Sequence, residues 1–304
     1  MKMLFKKLLI GASIAASVSA IASTPAFAGS LTNATIGGSA ASDYLVYGVD
    51  GKNTKEIAKT QANVQAVLDG NASNPTGNVE LRASSEKAGF DFTKNTTLNG
   101  KIGGKDITLS SLTAADWTPN FVNTWLTAAL NANGFGQFTN QVGFLSNIFV
   151  NYGGMQRFSD PNISYVNQND TTGEISIGLA GHLNATSLLT QSIDGYMASL
   201  NPFSSEYLTA KILKTALGST QIQASEIVKV SYNGGPSQLL YNFKATETGL
   251  TELSDGVSHS GNYEVKFAGI APPPVASVPE PSVMLGLVGV FALFVTQRQL
   301  KKAQ

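Results

Sequence analysis

Fifteen consecutive residues without a charge, Ser282 to Thr296, stand directly before a basic tip carrying Arg298, Lys301 and Lys302. A run this apolar has to be covered by protein or by lipid. As a helix it spans about 22 Å at about 1.5 Å per residue, somewhat short of the ~20 residues that cross a bilayer core. The basic side chains make up the difference by extending their charged heads to the interface, and they favour a cytoplasmic C-terminus. That length also suits a buried helix. The surrounding sequence favours the membrane, because three prolines, Pro272 to Pro274, precede the run and a basic tip closes it. Pro279 and Pro281 hold Val278 to Glu280 extended, and Pro281 is placed to open a helix where its missing N–H costs nothing.

The other end carries a second targeting pattern. Lys2, Lys6 and Lys7 precede a small-residue and apolar stretch, Leu8 to Ala22, and Ala26-Phe27-Ala28 has the A-x-A form of a cleavage site. The expected mature chain begins at Gly29, after passage through the Sec translocon and cutting by signal peptidase. The two ends divide the sequence into a signal peptide (1–28), an exported body (29–270), a proline-rich linker (271–277) and a C-terminal tail (278–304).

Val278, Pro279, Glu280 and Pro281, the apolar segment and the basic cluster Arg298, Lys301 and Lys302 together resemble the PEP-CTERM sorting signal. The resemblance covers about a tenth of the chain. It implies a substrate of an exosortase, a membrane-embedded transpeptidase-like protease, and an association with extracellular polysaccharide or biofilm material. The stretch from Ser159 to His182 (SDPNISYVNQNDTTGEISIGLAGH) is where the body resembles a group of cyanobacterial PEP-CTERM proteins of unknown function. That likeness brings no catalytic residues with it.

Removing the targeting segments changes the charge balance. The whole chain is formally neutral, but residues 29–277 hold 14 basic and 19 acidic residues, a net charge of −5. A nucleic-acid partner, which calls for a basic face, is not expected. There is no cysteine, so an exported body has to be held by its core rather than by disulfides.

Within the body, Asp43 to Asp50 reads as a strand, and Asn53-Thr54-Lys55-Glu56 has capping-box spacing before a helix with Ile57, Val64 and Leu68 on one face. Val79 to Ala83 reads as a strand. A hairpin joins 97–98 to 107–109 with its turn at Asn99-Gly100 or Gly103-Gly104. Thr118 caps a helix with Pro119 at its first position, an apolar stripe through Phe121, Val122, Trp125, Leu126, Ala129 and Leu130, and Gly134 as its stop. Val142 to Val150, Ser187 to Leu200 and Glu206 to Leu217 read as further helices. Hairpins are expected at 163–179 and 227–244, and a last strand at 262–267. Hairpins interspersed with helices predict an α+β fold: a largely antiparallel sheet with several packed helices, plus the signal peptide and a single C-terminal transmembrane helix.

Chemistry is sparsely encoded. His182 and His259 are the only histidines, with Asp194, Asp255 and many serines available as partners. No G-x-S-x-G elbow, H-E-x-x-H motif or phosphate-binding loop occurs. Paired histidines and thiols for zinc are absent. Asp160, Asn162, Asn167, Asn169, Asp170 and Glu174 form the densest run of oxygen ligands. Within it Asp160, Asn162, Asn169 and Asp170 are weak calcium candidates, although Asx-turn chemistry explains Asn169 to Gly173 without a metal. A glycoside hydrolase needs two carboxylates about 5 to 9.5 Å apart. Glu80, Glu86, Asp91, Glu174 and Glu226 are available, but nothing in the sequence brings two of them together. A sugar-stacking platform would rest on Trp117 and tyrosines, Trp125 being on the core stripe. The reading is therefore a non-enzymatic, cofactor-free surface or matrix protein, exported by Sec, held through its C-terminal helix and sorted by exosortase. A secreted polysaccharide hydrolase and a polysaccharide-binding module are its alternatives.

Overall fold

The structure is a computed structural model that describes residues 29–82 and 89–273. The signal peptide, the cleavage-site residues Ala26 and Ala28, the sorting box, the apolar segment and the basic tip lie outside the described residues, as does Glu86. Among the described residues, no helix is long and apolar enough to cross a membrane.

In chain order the elements are β1 (Thr32–Gly37), β2 (Tyr44–Asp50), β3 (Asn53–Glu56), α1 (Gln61–Ala66), β4 (Gly77–Leu81), β5 (Thr97–Ile102), β6 (Lys105–Ser110), α2 (Pro119–Ala132), α3 (Val142–Asn151) and α4 (Gly154–Arg157). They continue with β7 (Asn162–Gln168), β8 (Glu174–Gly181), α5 (Thr186–Ala198), α6 (Ser205–Leu217), β9 (Val228–Tyr232), β10 (Gln238–Leu240), β11 (Thr246–Glu247), β12 (Thr251–Glu252) and β13 (Gly261–Ala268). The fold is α+β with largely antiparallel strands. Among the described residues two sheets form, ordered β1-β5-β6-β9-β10 and β11-β13-β8-β7-β4-β2-β3-β12, and only the β3–β12 pairing is parallel.

Strand periodicity explains how the sheets meet. Val46, Val79, Leu81, Ile163, Ile177, Leu179 and Val265 point from the larger sheet toward Leu98, Ile107, Leu109, Val228 and Val230 of the smaller one, and all are buried in one cluster. On β8 the intervening residues Ser176, Gly178 and Ala180 take the opposite face, opposite Asn167, Tyr165 and Asn162 of β7. A bulge at Ser164 and Tyr165 keeps both Ile163 and Val166 in the core. Gly178 is required there: a Cβ on it would lie 2.2 Å from the Tyr165 ring.

The larger sheet is curled. Laid flat, its eight strands would separate β11 from β12 by about 34 Å at about 4.8 Å per strand. Glu247 and Thr251 are four residues apart and so lie within about 14 Å. His259 shows which face is concave. Its ring takes Thr54 Oγ1 of β3 at 2.6 Å through Nδ1 and Asn162 Oδ1 of β7 at 3.3 Å through Nε2. Those strands are three places apart in the sheet, and one imidazole bridges them only if the sheet bends round it. The concave face carries Tyr47, Thr54, Asn78, Asn162, Ser164 and Asn262, all buried.

Helices α2 to α6 form a second core at the end of the sheets where β7 begins, while Val64 of α1 packs in the first. Trp125 of α2 lies at its centre, with the rings of Trp117, Phe149, Phe158 and Phe243 at centroid distances of 6.0, 5.3, 4.8 and 5.8 Å. Helix α2 forms as its sequence predicts, with Thr118 Oγ1 accepting from Phe121 N at 3.3 Å and Pro119 at the first position. Helix α6 is capped in the same way by Ser204, which accepts from Tyr207 N at 3.1 Å.

One expected helix start is corrected. Asn53 to Glu56 do not form a capping box; they pair as β3 with Asp50, Val49, Gly48 and Tyr47. The turn at Gly51, with φ +64°, sends the chain straight back along β2, whose free edge needs hydrogen-bond partners. The helix starts later, with Thr60 accepting from Asn63 N at 3.1 Å. The hairpin between β5 and β6 turns at Gly103-Gly104, where both residues have positive φ, and Asn99-Gly100 lies within β5.

Candidate functional site

The concave face gathers groups that the sequence leaves scattered. Glu80 of β4 is the register partner of Asn162 at the start of β7. Asn162 donates from its backbone N (3.1 Å) and from Nδ2 (3.2 Å) to Glu226 Oε2. With Nδ2 so engaged, Asn162 Oδ1 faces His259, which places the imidazole proton on Nε2 and leaves Nδ1 to accept from Thr54. Tyr47 stands edge-on to the His259 ring at 4.7 Å and donates its hydroxyl to Glu80 Oε2 at 3.2 Å. Six segments, β2, β3, β4, β7 and the stretches holding Glu226 and His259, thus supply one connected network.

Its electrostatics follow from burial. Glu226 is pushed well above the usual carboxylate range, first by burial and then by the neighbouring charges of Asp160 and Glu80. His259 is 3% exposed, and burial lowers its pKa to about 4, against a smaller opposing pull from Asp255. Beside this network Arg82, 2% exposed, faces Asp43 at 3.1 Å and donates to the carbonyl oxygens of Asp91 and Lys94. Arg82 and His259 both have positive φ, at 65° and 63°. That conformation is costly for such side chains and is held here by their partners.

Glu80 and Glu226 are the carboxylates that the sequence could not place together, and both join this network. A carboxyl with a raised pKa near a second carboxyl is an arrangement acid–base catalysis uses. Here, however, Glu226 Oε2 is taken up by both Asn162 donors, and none of the cavities described below is lined by either residue. Asp91 lies elsewhere, its carboxylate accepting from Thr93 N at 3.1 Å.

A second cluster forms around His182, which follows β8. Ser258 Oγ lies 3.2 Å from His182 Nε2 and donates to Asp255 Oδ2. These are the residue types of a nucleophilic triad in the wrong order. The hydroxyl sits between imidazole and carboxylate, so it gives its proton to Asp255 and receives one from His182. Asp255 is a weak base besides. Hydrogen bonds from Ser258 Oγ and from the backbone N–H groups of Val257 and Ser258 outweigh burial and lower its pKa. A cavity of about 600 Å³ opens beside His182, between Asn184, Gln221 and Ser260. Asp194 is not part of the cluster, being ion-paired with Lys214.

The calcium candidates separate. Asp160 and Asn162 stand at one end of β7 and Asn169 and Asp170 beyond the other, about 20 Å apart at about 3.4 Å per residue. Among the described residues, no three acidic or histidine side chains are placed to hold a metal. Asn169 Oδ1 instead accepts from Thr171 N and Thr172 N at 2.9 and 3.0 Å, the Asx turn that the sequence predicts. Trp117 offers no surface for sugar stacking: it is buried, and its indole N–H donates to Ser159 Oγ at 2.8 Å.

The two ends of the described chain meet. Ser30, next to Gly29, bridges to Asn167, and Leu31 N donates to Val166 O at 3.0 Å. At the other end Gly269 N donates to Gly173 O at 3.1 Å, Ile270 N to the Tyr232 hydroxyl at 3.2 Å, and Gln168 Nε2 to Ile270 O at 2.9 Å. Both segments are fastened to the last residues of β7, at the pole away from the α2–α6 layer.

No protein-family model matches the chain, and neither the curated proteins nor the solved structures contain a match to it.

Proposed function

We propose that this chain is an exported, exosortase-sorted protein of the cell surface or extracellular matrix, whose body acts without catalysing a reaction. The observation that supports the reading is the meeting of both ends of the described body, Ser30-Leu31 and Gly269-Ile270, beside Val166, Asn167 and Gln168. A body translocated behind one membrane segment and retained by another is accommodated by ends that leave the fold together, so that neither connection has to run its length while both are attached. Here the chain enters the fold at Ser30, two residues after the A-x-A site, and leaves it at Ile270, directly before the proline-rich linker and the sorting box. The partners in this reading are the Sec translocon and signal peptidase at the first end, and the membrane and exosortase at the second.

The alternative from another class, a secreted polysaccharide hydrolase, has the raised Glu226 beside Glu80 in its favour. The engagement of Glu226 by Asn162 weighs against it.

Replacing Pro279, Glu280 and Pro281 together by alanine tests the reading. The variant is expected to accumulate in the membrane fraction at its unprocessed size and to disappear from the surface. Processing and location identical to the parent would dismiss exosortase sorting.

A further inference from the structure

The concave face of the larger sheet is closed by His259 at one end and open at the other. At the open end it forms a groove of about 550 Å³, within the range of small-ligand sites. Its lining includes Tyr165, Asn167, Ser176, Glu264, Lys266 and Glu174, rimmed by the loop 71–73 and the turn 169–171. The groove exists because β8 offers only Ser176 and Gly178 between the longer side chains of β7 and β13.

We propose that this groove binds a neutral, polyhydroxylated ligand, such as a few units of an uncharged polysaccharide. Its polar groups are already held in place. The Tyr165 hydroxyl donates to Glu264 Oε2 at 2.8 Å and accepts from Asn262 Nδ2 at 3.2 Å. Lys266 Nζ lies 3.2 Å from both Glu264 Oε1 and Glu174 Oε1. These contacts raise the Lys266 pKa and keep it protonated. An anion entering here meets Glu174, Glu264 and Asp170. A cation has to displace Lys266, whose position on β13 is fixed. A sugar hydroxyl does neither: it accepts from the ammonium and donates to the remaining carboxylate lone pairs, using both halves of the groove. Tyr165 is 1% exposed, so its ring offers no stacking surface and affinity rests on hydrogen bonds. A Kd on the order of 1 mM per binding stretch is expected. The choice of a surface polysaccharide as the natural ligand rests on the export reading; the chemistry of the groove does not.

The test uses the full chain in a detergent without a sugar headgroup, titrated with cellohexaose and maltohexaose while amide NMR shifts are followed. Chitosan and oligogalacturonate hexamers serve as cationic and anionic comparators. The neutral hexasaccharides are expected to shift the amides of Asn167, Ser176 and Lys266. Ser176→Tyr, which fills the groove, is expected to weaken binding at least about tenfold, and Lys266→Met several-fold. If Ser176→Tyr fails to fold, Lys266→Met and the map of shifted amides carry the test. Shifts produced only by the charged hexamers, no shift with any of the four, or undiminished binding by the folded variants would overturn the proposal. A sorting failure would appear as mislocalisation and leave this titration unchanged, so the two readings fail separately.

Discussion

Replacing Trp125 by alanine is expected to lower the unfolding free energy by about 3–5 kcal/mol, the range for removing a large aromatic side chain from a core. Trp125 is fully buried among Trp117, Phe149, Phe158 and Phe243, which come from four different segments, so no single element can move in to fill the space. Among the described residues its indole N–H has no hydrogen-bond partner, so its contribution there is packing. Trp125→Phe keeps a ring in place and removes that unpaired donor, and is expected to cost less than half as much. Urea unfolding followed by circular dichroism measures both. An alanine variant within 1 kcal/mol of the parent would mean that the helical layer does not depend on this cluster.

The second large effect is a pH dependence centred on His259. Its folded pKa of about 4 lies below the ~6.5 of an exposed histidine, so the unfolded chain takes up a proton first as pH falls. The stability it contributes is fully present above pH 6.5 and is lost as pH falls from 6.5 toward 4, by on the order of 3 kcal/mol. Glu226 works in the opposite direction. Its folded pKa is raised, so its contribution is complete below the ordinary carboxylate range and is lost as pH rises above it. The parent protein therefore shows the difference of two slopes. His259→Asn separates them, because asparagine tolerates the positive φ at this position and does not titrate. Between pH 7.5 and 4.5 the parent is expected to lose about 3 kcal/mol relative to this variant. Parallel stability curves would show that the His259 ring is not excluded from water. The groups facing His259 are Thr54, Tyr47 and Asn162, with the charges of Asp255 and His182 acting from further off.

How much of this was legible depended on sequence distance. Helix α2 could be read because Thr118, Pro119, the apolar stripe and Gly134 are all local signals. The β7–β8 hairpin could be read for the same reason, its turn being set by Asn169 and Gly173. Asn53 to Glu56 misled because capping-box spacing can also occur in a short strand, and here the open edge of β2 decided between the two. The curl of the larger sheet left no local trace. The sheet's two edges are β11 and β12, two residues each, and Thr251 pairs with Asn53 from the far end of the body. The concave network was hidden for that reason: Tyr47, Glu80, Asn162, Glu226 and His259 are brought together by the curl of the sheet, and no spacing among them repeats. Trp117 is the tryptophan that a sugar-stacking platform would use because Trp125 lies on the apolar stripe of α2, but its ring packs inward against Trp125 and Phe149.

The most direct test of the account is the mass of the protein recovered from intact cells after release from their surface. Sorting at the proline box predicts a chain that starts at Gly29 and has lost the apolar segment and basic tip, with its new C-terminus at or near Val278 to Pro281. A full-length chain of 304 residues, recovered from the soluble cytosolic fraction with Met1 and Gln304 both present, would contradict it.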